Sequence, residues 1–210
     1  MCLDLVSMAT ARAYRSRQRP KRSEQTRERI MKTVYDLLAD GVFHELTMEQ
    51  VAERAGISRA ALYQHFDSRL ALVDAICDLF ATNPSLLAVR RAVKVNDFRG
   101  ALGLIVENCV GFWASEEKVL DQLYGVAAID PSAQALVDRQ RADRRQEMET
   151  FARRLRRAGK LGDGVSERQA VTRLMVLTSF ETYKELVEAG LPMRDRVKTL
   201  TAMAETLLLD

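Results

Sequence analysis

Residues Thr47 to Phe66, TMEQVAERAGISRAALYQHF, constrain this chain more than any other stretch. Thr47 is a good N-cap, and Gln50 three residues later completes a capping box. Val51, Ala52 and Ala55 recur at helical spacing. Gly56 takes positive φ at no steric cost, so it ends one helix and starts a turn. Ser58 then caps a second helix carrying Ala61, Leu62 and Phe66. Ala52 is small where two helices must cross, and Ile57 and Leu62 anchor the crossing. This order of small residue, glycine turn and apolar anchor is that of a helix-turn-helix. Ordinary helical hairpins share the glycine turn, so the flanks must decide between the two readings.

The second helix presents Arg59, Ala60, Tyr63 and Gln64 outward. Arginine can bond guanine O6 and N7, and glutamine can bond adenine. Ala60 and Ala61 let the backbone approach base edges, and either methyl can touch a thymine methyl. Tyr63, His65 and Arg69 are spaced to reach phosphates, which fix position rather than sequence.

Upstream, Thr26 to Asp40 (TRERIMKTVYDLLAD) reads as an amphipathic helix with a buried stripe of Ile30, Val34, Leu37 and Leu38. Gly41 stops it, and Val42 and Phe43 return the chain to the core. Downstream, Ser68 caps a fourth helix through Leu72, Val73, Ile76 and Phe80. A small three-helix DNA-binding unit needs such flanks.

Thr26-Arg27, Ile30, Gly41, Phe43, Thr47, Val51-Ala52, Ala55-Gly56-Ile57-Ser58, Leu62-Tyr63-Gln64-His65-Phe66, Ser68, Arg69 and Leu72 together resemble the TetR family of transcriptional regulators. The resemblance covers about residues 24 to 75. It implies phosphate contacts at Thr47, Tyr63, His65 and Arg69, and base-edge contacts at Arg59, Ala60, Ala61 and Gln64. Ser58, the cap of the recognition helix, completes the expected DNA-binding set. Arg59-Ala60 stands where the family often has Lys-Gly, and Leu70 replaces a common glutamate. The expected function is a ligand-responsive regulator, a repressor that binds a palindromic operator in double-stranded DNA as a homodimer and is released by a small-molecule effector. The alternatives are an activator without small-molecule induction and a helical dimeric interaction module.

Charge is unevenly spread. Twelve basic and eight acidic residues lie between Arg12 and Arg69, an excess larger than the +3 of the whole chain. Phosphate neutralisation would use that excess. ARAYRSRQRPKR supplies Arg12, Arg15, Arg17, Arg19, Lys21 and Arg22, and reads as a flexible basic arm over 1–22. It could follow phosphates or enter a minor groove, or attract DNA non-specifically. Met1 to Met8 lacks the features of a signal peptide, and no run reaches membrane-spanning length. A cytoplasmic protein with no membrane partner is expected. Cys2, Cys77 and Cys109 form no metal pattern, and Cys77 and Cys109 read as buried thiols. The two histidines, His44 and His65, both lie in the DNA-binding segment. No nucleophile set, phosphate loop or metal cluster is evident, so neither an enzyme nor a cofactor is expected.

The scarcity of strand-like alternation, with four prolines and ten glycines in 210 residues, gives an all-α expectation. Its domains are the arm, a DNA-binding domain over 23–68, and a larger helical regulatory and dimerisation domain over 69–210. Helical spacing continues from Asp97 to Trp113, followed by a short helix near Lys118 to Val126. A long helix runs from Pro131 to Ala158, another over 167–189, and a last one opens at Pro192. Leu174 to Leu177 (LMVL) is apolar on nearly all sides, and Leu200, Leu207 and Leu208 line the last helix. The last two helices are therefore expected to form a dimer interface. An effector site is expected among Asn108, Phe112, Trp113, Tyr124, Arg144, Met148, Phe151, Met175 and Tyr183, although plain core packing explains each of these singly. Eight arginines between Arg139 and Arg157 read mainly as a solvated face. Arg144 lies beside the apolar stripe and could meet an acidic ligand.

Overall fold

The structure, a computed structural model, describes residues 22–209. The basic arm, apart from Arg22, and Cys2 therefore lie outside the described residues. The described chain is helical, and its residues fall into two compact units that divide between Ile76 and Cys77. The sequence expectation put that division at position 68.

In the first unit, α1 covers residues 22–39, starting earlier than Thr26. No glycine or proline lies between Arg22 and Ala39 to delay it. Ile30, Val34, Leu37 and Leu38 are all buried, as their spacing requires. Gly41, at φ 74°, closes the helix. Its N–H bonds the carbonyl of Leu38 at 3.0 Å, and that of Val42 bonds Leu37 at 3.1 Å. This paired bonding satisfies the last carbonyls of α1. A short 3-10 turn, Phe43–Glu45, buries Phe43.

Helix α2 (Met48–Arg54) begins with the anticipated capping box. The N–H of Gln50 donates to Thr47 Oγ1 at 3.3 Å, and Thr47 N–H donates to Gln50 Oε1 at 2.9 Å. Gly56 sits at φ 62°. Helix α3 (Arg59–Tyr63) is capped by Ser58 and is only five residues long. Phe66, expected inside this helix, lies beyond its end. Its ring is nevertheless buried, beneath the Arg27 guanidinium at 4.5 Å. Ser68 Oγ accepts from Ala71 N–H at 3.1 Å at the start of α4 (Arg69–Phe80).

The second unit contains α5 (Pro84–Ala92), α6 (Phe98–Ala127), α7 (Pro131–Arg157), α8 (Glu167–Leu177), α9 (Phe180–Glu188) and α10 (Met193–Leu208). Helix α6 packs against α5, α7, α9 and α10, while α8 packs against α7 and α10. Its core holds Leu102, Ile105, Met148, Phe151, Leu155, Leu174 and Leu200, all at or near zero exposure.

Three sequence expectations change here. The helix from Asp97 and the short one near Lys118 are a single 30-residue helix, α6. Ala114, Ser115 and Lys118 interrupt the apolar spacing because they face solvent, and none of them breaks a helix. The helix over 167–189 is two helices. Thr178 ends α8, with its hydroxyl donating to the carbonyl of Leu174 at 2.7 Å. Ser179 then caps α9 by accepting from Thr182 N–H at 3.0 Å. Hydroxyl side chains compete in this way for backbone groups and favour helix ends. Within LMVL, Leu174, Met175 and Leu177 belong to this chain's own core, because α7 and α10 both cover α8. Val176 alone is 59% exposed. No single described helix is long and apolar enough to cross a membrane.

Candidate nucleic-acid interface and internal cavity

Helices α2 and α3 create one polar surface from short local rules. Capping at Thr47 and Ser58 fixes where each helix starts. The left-handed residue Gly56 sets the turn between them, where a Cβ would meet nothing within 4 Å. Leu62 is fully buried and Ala52 nearly so, which pins the buried side of the pair. Arg59, Ala60, Tyr63 and Gln64 are consequently exposed, as are Thr47 and Ser58, while Ala61 and His65 are half-buried.

Two of the arginines are already engaged. Arg59 Nε reaches Glu49 Oε1 at 2.8 Å, and its guanidinium stands 5.4 Å from the Tyr63 ring centre. Arg69 Nη2 donates to the carbonyl of Phe43 at 2.9 Å, with its guanidinium 5.1 Å from the Phe43 ring centre. Arg69 thus braces the turn before α2 in addition to any role toward phosphate.

In the second unit a cavity partly open to solvent lies among α5, α6 and α7 and the end of α4. Phe80, Leu86, Val89, Phe112, Trp113, Leu120, Leu123 and Val137 form its apolar walls. Its polar lining includes Arg90, Tyr124, Gln140, Arg141, Asp143, Arg144 and Glu147. Most of these have partners. Arg90 reaches Glu147 at 3.5 Å, and Arg141 reaches Glu181 at 3.8 Å. Gln140 Nε2 donates to the carbonyl of Cys77 at 3.0 Å.

The break between α8 and α9 supplies the remaining anchor. Trp113 Nε1 donates to the carbonyl of Thr178 at 3.1 Å, and Arg144 Nη1 donates to the same oxygen. The Arg144 guanidinium lies 5.6 Å from the Trp113 ring centre. Burial draws the arginine's proton affinity below its usual range. Burial also pushes the neighbouring Cys109 thiol up to about 11. Among the described residues no cluster of three or more His, Cys, Asp or Glu side chains is placed to hold a metal ion.

The family model described as bacterial regulatory proteins, tetR family, matches residues 30–76, the span that contains α2, the Gly56 turn and α3. Over that span the chain matches the TetR family. The tetracycline repressor protein class C of Escherichia coli is 39% identical over 56 residues, covering 27% of this chain and 26% of that protein. The transcriptional activator FasR of Mycolicibacterium smegmatis is 32% identical over 85 residues, 40% of this chain and 38% of FasR. The matched segments thus span between a quarter and two-fifths of these relatives. The structure of SmeT in complex with triclosan superimposes with a TM-score of 0.71 at 17% identity, covering 89% of this chain and 92% of SmeT. That likeness extends the common fold over the second unit.

The cavity gathers four of the nine expected effector residues: Phe112, Trp113, Tyr124 and Arg144. The other five lie outside its lining. Asn108 bonds the carbonyl of Leu104 on its own helix at 2.8 Å. Met148 and Phe151 are fully enclosed in the core, and Met175 nearly so. Tyr183 donates to Glu117 Oε2 at 2.8 Å. Sequence reasoning missed Leu86 and Val89 because it passed over α5. The signal was present: Asn83 accepts from Ser85 N–H at 2.9 Å as the helix cap, and Pro84 occupies the first turn. Gln140 stands on the apolar stripe beside Arg144, whereas Glu147 was hidden in the arginine-rich run, whose polarity masked the edge that faces the cavity.

Proposed function

We propose that this chain is a ligand-responsive transcriptional regulator of the TetR family, acting in the cytoplasm as a homodimeric repressor on a palindromic operator. The observation that carries the reading is the exposed row Arg59, Ala60, Tyr63 and Gln64 on a helix whose opposite side is locked by Leu62. Such a row offers both base-edge donors and aromatic reach to phosphates. A dimer would set two such helices about 34–36 Å apart, one DNA turn, to read two half-sites. Exposed Val176 on α8 and exposed Met193, Met203 and Leu207 on α10 support an interface on those helices. The break in the 167–189 helix thus moves the expected interface from the last two helices to α8 and α10.

The cavity in the second unit supports a small-molecule effector. An effector shifts DNA binding only through its different affinity for the two states, typically about 1–3 kcal/mol. A mobility-shift assay on DNA upstream of the gene and of its neighbours tests the reading. A specific, palindromic site whose occupancy falls steeply with salt is the expected result. Affinity unchanged in Tyr63→Ala and Gln64→Ala would remove α3 from the interface. A transcript that rises on deletion of the gene marks a repressor, whereas one that falls marks an activator.

A further inference from the structure

The polar lining of the cavity is unequal. Arg90 and Glu147 neutralise each other at 3.5 Å, and Arg141 faces Glu181 at 3.8 Å. Arg144 is different. It forms no ion pair among the described residues. It donates to one backbone carbonyl, that of Thr178, and lies against the face of Trp113. Its surroundings are the apolar and aromatic walls of the cavity, and burial already disfavours its charged form. A buried cation with no carboxylate at ion-pair distance is costly, although the charge of Glu181 acts on it from farther away, and a guanidinium has five N–H donors, of which the Thr178 carbonyl takes one. A carboxylate is the group that best matches the remaining donors, through two parallel hydrogen bonds.

We infer that the cavity binds a hydrophobic organic acid, with its carboxylate on Arg144 and its apolar body against Phe80, Leu86, Val89, Phe112 and Trp113. This rests on the reading of the cavity as the effector site and adds the chemical class of the effector. Asp143 and Glu147 also line the cavity and would favour a cation. Glu147, however, is engaged by Arg90, and Asp143 is exposed, where water screens it.

The test uses the full-length protein and three probes of matched size: 4-phenylbutyrate, 4-phenylbutyramide and 4-phenylbutylamine. Trp113, the chain's only tryptophan, lines the cavity and reports binding by its emission. The carboxylate should bind at least tenfold more tightly than the amide or the amine. Arg144→Gln should abolish that preference, and Arg144→Lys should retain part of it. Far-ultraviolet circular dichroism and calorimetric titration accompany each variant, so a folding defect is separated from lost recognition. Equal binding of the three probes, tighter binding of the amine, or no binding of any would overturn the inference. A parallel mobility-shift assay separates it from the broader reading. Carboxylate binding that leaves DNA affinity unchanged supports the ligand class and refutes effector control. Release from DNA by the amine or amide does the reverse.

Discussion

Arg59 on the recognition helix is held by Glu49 of the preceding helix, Nε to Oε1, at 2.8 Å. Both side chains are substantially exposed, so the pair contributes at most about 1 kcal/mol. To reach a base, Arg59 must leave Glu49, and that carboxylate also repels phosphate. Glu49→Gln should therefore raise operator affinity by about two- to fivefold, a change within the worth of an exposed ion pair. Fluorescence anisotropy on the operator would show it. In an Arg59→Ala background the gain should shrink to the part that relief of phosphate repulsion supplies.

Arg69 joins α4 to the turn at Phe43 by a hydrogen bond of 2.9 Å and a ring contact. Arg69→Ala should lower the stability of the first unit by about 1.5–3 kcal/mol, the range for a hydrogen bond from a charged group. Thermal melts without DNA measure this loss. A variant with unaltered melting would leave phosphate contact as the residue's whole role.

Gly56 makes a clean backbone test. At φ 62° with no atom within 4 Å of a built Cβ, an alanine meets no obstacle except its own backbone. Gly56→Ala should cost about 1–2 kcal/mol through the left-handed conformation alone. Gly56→Asn should recover part of it, since asparagine tolerates that region better. Chemical denaturation of the three proteins in parallel checks the order.

The cysteines of the second unit should be inert in the native protein. Cys77 and Cys109 are buried, and burial pushes Cys109 up to about 11. Its thiol stays protonated at pH 8, where an ordinary cysteine is partly ionised and reactive. In a Cys2→Ser variant, a disulfide reagent at pH 8 should modify no thiol until denaturant is added, and then both. Rapid native modification of Cys109 would contradict the burial described.

Glu117, Tyr183 and Lys184 form a small network linking α6 to α9. Lys184 Nζ lies 2.9 Å from Glu117 and 3.0 Å from Asp121, and Tyr183 also donates to Glu117. The hydrogen bond from Lys184 is the main cause that lowers Glu117. The stability this contributes is present above the carboxylate's unfolded value of about 4.5 and is lost as pH falls through its lower folded value. Lys184 is raised, chiefly by its bond to Glu117, and burial pushes Tyr183 up to about 12. Their contributions are complete below their unfolded values and disappear as pH rises through the folded ones. Glu117→Gln should therefore be less stable than the parent at pH 7, with the deficit shrinking in acid. Urea titrations at several pH values give both limbs.

The first unit was legible because its rules are local. Thr47, Gln50, Gly56 and Ser58 each act on neighbours within a few residues, and each does in the structure what its type predicts. The second unit was legible only where helix ends carry strong signals, as at Pro131 and Gly159. Thr178 and Ser179 end helices more weakly than proline or glycine, so the break between α8 and α9 did not stand out. The cavity was the least legible part. Phe151 and Phe112 look alike in sequence, yet one fills the core and the other lines the cavity. That distinction depends on which helix lies opposite, and no local pattern encodes it. Arg69 shows the converse limit: its spacing suggests phosphate, while its main observed partner is a backbone carbonyl.

Trp113 is the only indole in 210 residues, and it sits wholly within the second unit. Any unfolding curve recorded through its emission therefore follows the second unit directly, and α3, which carries Arg59 and Tyr63, only as far as the two units melt together. Circular dichroism records both units in proportion to their helices. The interval between the two curves measures how far the DNA reader and the cavity melt as one cooperative body, without any label added to the chain.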